Sequence, residues 1–247
     1  TSPRTSYHLA SPHMPATKTN VSTTPANTAP KGDPFTALRN LDAQKAWLAS
    51  RDIPNPYFLT HERTAGARTV IEGRELLNFS SYNYLGLNGD PDVNEAAKAA
   101  IDRYGTSVSA SRIVSGERPI HQELETELAA FTSTEDALVF VSGHGTNVSV
   151  IPDLVGAGDL GFLDAHSHNS SQVGATVSGA RRITFPHNDW EALGRLLALH
   201  RSEARRALIL IEGVYSMDGD VPDLAEFVAL KKQYDTMLMV DEAHSIG

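Results

Sequence analysis

The chain has 247 residues, a net charge of −9, 40% hydrophobic residues and 21% charged residues, which is the composition of an ordinary globular protein. The negative charge argues against nucleic acid as a partner, and no stretch approaches the roughly 20 apolar residues of a membrane span. The absence of cysteine excludes disulfides, thiolate metal sites and cysteine nucleophiles, and it fits a reducing compartment such as the cytoplasm.

Residues 1–32 are rich in Ser, Thr, Pro, Ala and Asn and have no apolar periodicity. Such a stretch cannot bury enough surface to offset the entropy lost on ordering, so we expect a disordered leader or linker. It has basic residues and no acidic residue, so a mitochondrial transit peptide is the alternative interpretation. Because the chain starts with Thr1 and stops at Gly247, just after an apolar run, we expect it to belong to a longer protein.

Residues 33–80 are predicted to form a small N-terminal subdomain. A partial apolar face predicts a helix over 35–50. Two short runs separated by Glu72 and Gly73 predict a β-hairpin over 68–80.

Residues 81–247 are predicted to form one larger domain, in which helical patterns alternate with short apolar runs. Asp90 is a predicted helix N-cap, and Gly105 is predicted to end that helix. The predicted helices lie at 90–105, 120–131, from about 145, 170–178, 189–200 and 222–234, and the predicted strands are 137–141, 160–163, 182–185, 207–211 and 237–240. This alternation predicts an α/β fold with a mostly parallel sheet and flanking helices, in which ligands bind beyond the carboxyl ends of the strands.

Polar residues and glycines follow the first two predicted strands. Ser142–Asn147 opens a helix with two glycines, so its backbone N–H groups could hold an anion, although a tight turn without a ligand fits as well. After the next strand, Asp164, His166 and His168 alternate in a loop and could ligate a metal, as in a metal hydrolase. A surface loop explains the same pattern, and we expect no metal.

The last two predicted strands are followed by Glu212–Asp220 and by Asp241–His244. Asp241 ends a buried strand, and a buried carboxylate needs a cation, a donor network or a protonated ring nitrogen, because leaving it isolated is costly. A structural ion pair would also satisfy it. Asp-Glu-Ala-His is also the Walker B sequence of helicases, but the chain has no G-x-x-x-x-G-K-[ST] loop, which excludes that ATPase function.

Taken together, these motifs resemble one family. They occur in its order and spacing at Ser80–Leu87, Ser111–Gly116, His121–Glu127, Ser142–Asn147, Ser167–His168, His187–Asp189, Glu212–Asp220 and Asp241–Gly247. Over about residues 35–247 the chain resembles the α-oxoamine synthases, which include serine palmitoyltransferase and aminooxononanoate synthase. The resemblance implies the fold type I of pyridoxal 5'-phosphate (PLP) dependent transferases, the aminotransferase class I/II fold, truncated before its C-terminal domain, and a homodimer.

The resemblance also implies PLP as the cofactor and gives roles to individual residues. The implied cofactor-binding residues are Ser142, Gly143, His144, His168, Ser216, Asp241 and His244, and the implied catalytic residues among them are His168, Asp241 and His244. His168 would stack on the pyridine ring, and Asp241 would pair with the protonated ring nitrogen. Tyr82, Asn83 and Glu212 are weaker candidates for contacts with substrate.

The implied reaction is a PLP-dependent decarboxylative condensation of an amino acid with an acyl thioester of coenzyme A or of an acyl-carrier protein, which gives an α-amino ketone. The lysine that binds PLP covalently in the family would lie beyond Gly247, so we expect residues 1–247 alone to be inactive. The alternative is a lysine-lacking, non-catalytic partner subunit of such an enzyme. The sequence does not identify the amino acid or the acyl chain. Residues 105–110 are bulkier than the glycine-rich stretch that borders the acyl substrate in the family, so the resemblance does not imply an acyl specificity.

Overall fold

The computed structural model describes residues 34–246, so the predicted leader over 1–32 lies outside the described residues. The chain divides into two units between Thr60 and His61, and the boundary that we predicted at residue 80 stays a prediction. In the first unit, helix α1 (Thr36–Ala49) confirms the helix predicted over 35–50. No helix in the described part of the chain is long and apolar enough to cross a membrane.

The second unit begins with the predicted hairpin. Strands β1 (Arg68–Ile71) and β2 (Arg74–Leu77) pair antiparallel. Glu72 and Gly73 both have positive φ, at 51° and 71°, which is typical of the tight turn of a two-residue hairpin. The glycine takes this conformation without the steric cost that a side chain would add.

Two helices follow the hairpin, α2 (Pro91–Tyr104) and α3 (Pro119–Thr132). The Asp90 side chain accepts hydrogen bonds from the first-turn N–H groups of α2, and Gly105 ends this helix with φ of 79°, as predicted.

The strand predicted over 137–141 is wrong: these residues pair with no strand of the described sheets. The N–H of Val139 donates instead to Glu125 Oε1 in α3 over 2.8 Å, and Glu125 also binds the guanidinium of Arg112. The side chain of Val141 is fully exposed. An apolar run with high β-propensity becomes a strand only when a neighbouring strand forms hydrogen bonds with its backbone. Within residues 34–246 the Glu125 carboxylate accepts one of these backbone hydrogen bonds instead.

The remaining strands form the predicted parallel sheet. They are β3 (Leu160–Asp164), β4 (Arg181–Phe185), β5 (Ala207–Glu212) and β6 (Met237–Asp241), in the spatial order β4-β3-β5-β6. Helices α4 (Gly143–Leu154), α5 (Asn169–Val177), α6 (Trp190–His200) and α7 (Leu224–Gln233) lie between or before them in the chain. Each of these strands and helices agrees with a predicted element to within about two residues at its ends, except that α4 was predicted only at its start, near residue 145.

The helices cover both faces of the sheet. Leu208 and Leu210 of β5 lie in one apolar cluster with Ile151 of α4, whereas Ile209 lies in the other with Leu193 of α6. Every residue of β5 is buried, as expected for a central parallel strand. The sheet is therefore packed on both faces, and the carboxyl ends of its parallel strands lie together at one edge.

Candidate functional site

A cleft lies at the carboxyl ends of β3, β5 and β6, with an empty volume of about 420 Å³. Its lining residues are Gly143, His144, Asn147, His168, Ser170, Glu212, Ser216, Asp241, Ala243 and His244. The cleft therefore brings together six of the seven residues predicted to bind the cofactor, and Glu212 with them. The parallel register explains this convergence, because Glu212 of β5 is paired with Asp241 of β6 at the same edge.

The N-terminus of α4 forms one wall of the cleft. Ser142, the remaining predicted residue, does not line the cleft but caps the helix: its hydroxyl accepts from the N–H of Gly145 over 3.0 Å, and its carbonyl accepts from Thr146. Among the described residues, the N–H groups of Gly143 and His144 have no acceptor, and a Cβ at Gly143 would meet no atom within 4 Å. Two free N–H groups at the positive end of a helix dipole, with open space before them, suit an anion such as a phosphate.

Asp241 forms another wall, and its hydrogen-bond donors are neutral. Its Oδ2 accepts from Asn147 Nδ2 over 2.8 Å, and its Oδ1 accepts from the Ala243 N–H over 3.1 Å. No lysine, arginine or histidine of residues 34–246 forms an ion pair with it. By contrast, buried Asp159 at the other end of the sheet is neutralised by Arg205 and Arg206. The charge of Asp241 is therefore available to a cation on a ligand.

His168 is held by hydrogen bonds of its backbone N–H and of its imidazole ring. Its Nδ1 accepts from the Ser170 N–H over 3.2 Å and lies 2.7 Å from Ser170 Oγ. Because a backbone N–H can only donate, Nδ1 is the acceptor, and the proton of the neutral ring is on Nε2. The N–H of His168 donates to Glu212 Oε1 over 2.5 Å, which ties the start of α5 to the end of β5.

Glu212 is buried, with 4% of its surface exposed. Burial raises its pKa, the hydrogen bond from the His168 N–H acts in the opposite direction, and the nearby charge of Asp241 raises the pKa further. The next residue is Gly213, where a Cβ would lie 2.6 Å from side-chain oxygens of Glu242 and Ser245. A side chain at this position would therefore have to displace the ends of the Glu242 and Ser245 side chains.

The three weaker candidates for substrate contacts lie in different surroundings. Glu212 lines the cleft, and Tyr82 lies against it, with its ring edge-on to His244 at a centroid distance of 5.9 Å. Asn83 does not reach the cleft, because its Nδ2 donates to the Ala65 carbonyl and its Oδ1 accepts from the Asn88 N–H.

Three lining residues were given no role in the sequence interpretation, Asn147, Ser170 and Ala243. Asn147 stands four residues after Gly143, so it lies one turn further along the same face of α4, and this spacing could have indicated it. Ser170 follows His168 by two residues and lies in the first turn of α5. Tyr84 lies within the Ser80–Leu87 motif, and its hydroxyl forms a hydrogen bond with His244 Nδ1 over 2.8 Å.

The metal alternative built on Asp164, His166 and His168 is not supported as a set. His168 lines the cleft, whereas His166 converges with His187 and Asp218, whose ligand atoms all lie within 4.8 Å of one another. Among the described residues this is the one such group.

His187 is already engaged on both sides. Its Nδ1 lies 2.8 Å from Asp164 Oδ1, and its Nε2 lies 2.8 Å from Asp220 Oδ2. A ring that donates from both nitrogens has no lone pair left for a metal ion, so in this arrangement the cluster is an ion-pair network.

The sequence profile of the aminotransferase class I and II family matches residues 74–247. The chain belongs to this family. Among curated proteins it is similar to 8-amino-7-oxononanoate synthase of Geobacter sulfurreducens, with 52% identity over 182 residues, which are 74% of this chain and 46% of that protein. The enzyme of the same name from a Methylobacterium species is 45% identical over 215 residues, which are 87% of this chain and 55% of that protein.

Solved structures agree with the family assignment. Serine palmitoyltransferase of Sphingomonas wittichii superposes with a TM-score of 0.82 at 36% identity, over 87% of this chain and 54% of that chain. The 8-amino-7-oxononanoate synthase of Francisella tularensis superposes with a TM-score of 0.56 at 26% identity, over 68% of this chain and 45% of that chain. A variant of serine palmitoyltransferase from S. paucimobilis was solved with a PLP-myriocin aldimine bound, and it matches with a TM-score of 0.82 at 35% identity, over 87% of this chain and 55% of that chain.

These comparisons confirm the predicted resemblance and the predicted fold. The chain is homologous to α-oxoamine synthases and has the α/β architecture of fold-type-I PLP transferases. It spans about half the length of the relatives that it matches.

Proposed function

We propose that the protein binds PLP in this cleft and catalyses the decarboxylative condensation of an amino acid with an acyl thioester to an α-amino ketone. The observation that carries the proposal concerns the Asp241 carboxylate, which is held by neutral donors and has no cationic partner among the described residues. It lies in one cleft with the free N–H groups of Gly143 and His144. PLP has the two groups that such a cleft can bind, a phosphate and a ring nitrogen that takes up a proton.

The residues present fit the cofactor. Gly143 and His144 would hold its phosphate, and Asp241 would hold its ring nitrogen. His168 would cover one face of the ring, and Ser216 and His244 would bind the ring hydroxyl. When bound, PLP supplies an electron sink that stabilises negative charge at the α-carbon of an amino acid.

The protein's own groups orient and hold protons around that chemistry. The negative charge of Asp241 keeps a proton on a neighbouring ring nitrogen, because a nearby carboxylate raises the pKa of a cationic group. Asn147 fixes the direction of the Asp241 carboxylate through the 2.8 Å hydrogen bond. His168, with its proton on Nε2, can donate to the carboxylate of an amino-acid substrate.

The names of the relatives support the substrate class, since both 8-amino-7-oxononanoate synthases and serine palmitoyltransferases join an amino acid to an acyl thioester. We include in the proposal that the acyl group arrives on coenzyme A or on an acyl-carrier protein and that the full protein is a homodimer.

A PLP titration of the protein, followed by absorbance, tests the binding half of the proposal. Asp241→Asn should weaken PLP binding by about 10-fold or more, because a neutral amide replaces a charge-assisted hydrogen bond. Asp153→Asn, an exposed position on α4, is the matched control and should bind as the unsubstituted protein does. Equal affinity in the Asp241→Asn variant would contradict the proposal.

The catalytic half is tested on the full-length protein. It should be offered several amino acids together with acyl thioesters of coenzyme A and of an acyl-carrier protein, and the products analysed by mass spectrometry. An α-amino ketone with loss of carbon dioxide is the expected product. Amino-group exchange without carbon–carbon bond formation would indicate a transaminase instead.

A further inference from the structure

The loop after β5 carries one of the proposed cofactor residues. Within this loop, the N–H of Tyr215 donates to the Asp220 carbonyl over 3.0 Å, and the N–H of Gly219 donates to the Tyr215 carbonyl over 2.8 Å. The segment 215–220 is therefore a turn closed by its own backbone hydrogen bonds. Ser216 belongs to this turn and lines the cleft.

The turn is attached to the sheet through Asp220. Its Oδ2 accepts from His187 Nε2 over 2.8 Å and from Asn188 Nδ2 over 2.5 Å, and both donors follow β4. On its other side His187 Nδ1 contacts Asp164 Oδ1 over 2.8 Å. Asp164 is fully buried at the end of β3 and also accepts from the Asn188 N–H. One imidazole thus bridges two carboxylates, one on the rigid sheet and one on the turn.

Only the protonated ring can donate from both nitrogens at once. Burial acts to lower the pKa of His187, but hydrogen bonds and charge from Asp164 and then Asp220 outweigh it and raise the pKa above the ordinary histidine value. The other groups that face His187 are the His166 ring, stacked at 4.0 Å and paired with Asp218, and the Tyr215 ring, edge-on at 4.4 Å.

We propose that His187 is a positioning residue which, by donating to Asp164 and Asp220 together, ties the 215–220 turn to the sheet and fixes Ser216 in the cofactor cleft. This inference rests on the proposed function, because it concerns the placement of a residue for PLP. His187 itself does not line the cleft, so its effect on the cofactor passes through the turn.

The first test compares His187→Gln with the unsubstituted protein in the full chain. A glutamine has one nitrogen donor and no charge, so it can satisfy only one of the two carboxylates. Hydrogen–deuterium exchange of residues 213–220 should become faster, and PLP should bind about 10-fold more weakly, which corresponds to about 1.4 kcal/mol. His200→Gln is the matched control, since His200 at the end of α6 does not line the cleft and forms an ion pair of the same kind with Glu203.

A double-mutant cycle separates positioning from a general structural role. If His187 acts through Ser216, then Ser216→Ala and Ser216→Ala with His187→Gln should bind PLP equally weakly, within about twofold. Additive losses would overturn the inference, and so would unchanged PLP affinity in His187→Gln.

A pH series gives a readout that needs no cofactor. Protection of residues 213–220 should fall as the pH rises through the raised pKa of His187, because the neutral ring can donate to only one carboxylate. This pH dependence should be absent in His187→Gln, and its persistence there would overturn the inference.

Three further outcomes are distinguishable. If His187→Gln does not fold, Asp220→Asn, which keeps His187 and its contact with Asp164, is judged by the same PLP and exchange criteria. If the unsubstituted protein does not bind PLP at all, the proposed function fails and this inference fails with it. A loosened turn with unchanged PLP binding overturns the positioning role alone.

Discussion

Asn147 donates from its side-chain amide to the carboxylate of Asp241 over 2.8 Å, although the two residues are 94 positions apart in the chain. The same amide also contacts Ser170 Oγ over 2.9 Å. This one side chain therefore links α4, the first turn of α5 and the carboxyl end of β6. The Asn147 amide orients the Asp241 carboxylate without neutralising its negative charge. Asp241 therefore keeps this charge for a cationic ligand.

Replacing Asn147 with Asp should weaken PLP binding by about 10-fold or more, because a second carboxylate beside Asp241 removes a donor and favours a shared proton. Asn94→Asp is the control, since Asn94 is exposed on α2 and its amide only contacts the Gly89 carbonyl. Both variants can be compared by PLP titration at neutral pH. Tight binding by the Asn147→Asp protein would show that Asp241 needs no neutral donor.

Gly174→Ala should destabilise the fold by about 1–3 kcal/mol, because the added methyl group would overpack the contact between α4 and α5. A Cβ at this position would lie 2.6 Å from the Asn147 carbonyl and 2.9 Å from Ile151 Cδ1. Urea unfolding measures the loss. Gly156→Ala is the control, since its Cβ would lie 3.7 Å from the Ser178 carbonyl, an ordinary contact. Equal stability of the two variants would mean that α5 can shift without cost.

Glu212→Gln should reduce the dependence of stability on pH. The pKa of Glu212 is raised above 4.5 in the folded protein, mainly by burial. The folded protein therefore keeps the Glu212 proton to a higher pH than the unfolded protein does. The free energy of unfolding therefore decreases as the pH rises from the pKa of Glu212 in the unfolded protein to its higher pKa in the folded protein. The substitution abolishes this contribution, while the amide oxygen of the new side chain can still accept from the His168 N–H. Urea unfolding across this range, with exposed Glu135→Gln as the control, should show a flatter profile only for Glu212→Gln.

The 247-residue chain should carry no covalently attached PLP, because no lysine of the described residues lines the cleft. Lys231 and Lys232, for example, lie in the last turn of α7. Borohydride reduction in the presence of PLP, followed by mass spectrometry of peptides, checks this. A pyridoxyl group at high occupancy on one lysine would contradict it, whereas low, scattered labelling of several lysines would not.

Local sequence signals were sufficient for most elements of the second unit. Asp90 and Gly105 bound α2 as predicted, because a capping carboxylate and a glycine with positive φ act over a few residues. The apolar run at 207–211 predicted β5 because a strand buried on both faces has few polar residues. The strand predicted over 137–141 failed for the opposite reason, since strand pairing depends on a partner that lies elsewhere in the chain.

The sequence by itself determined the family, the order of the helices and of the strands other than the one predicted over 137–141, and the residues that follow each observed strand, because motifs, caps and apolar periodicity are local properties. Only the tertiary structure decided that Asn147 would orient Asp241, that Asn83 would turn away from the cleft, and that His187 would join Asp164 to Asp220. These relationships depend on the strand order β4-β3-β5-β6 and its register, which bring distant side chains within hydrogen-bonding distance at one edge of the sheet.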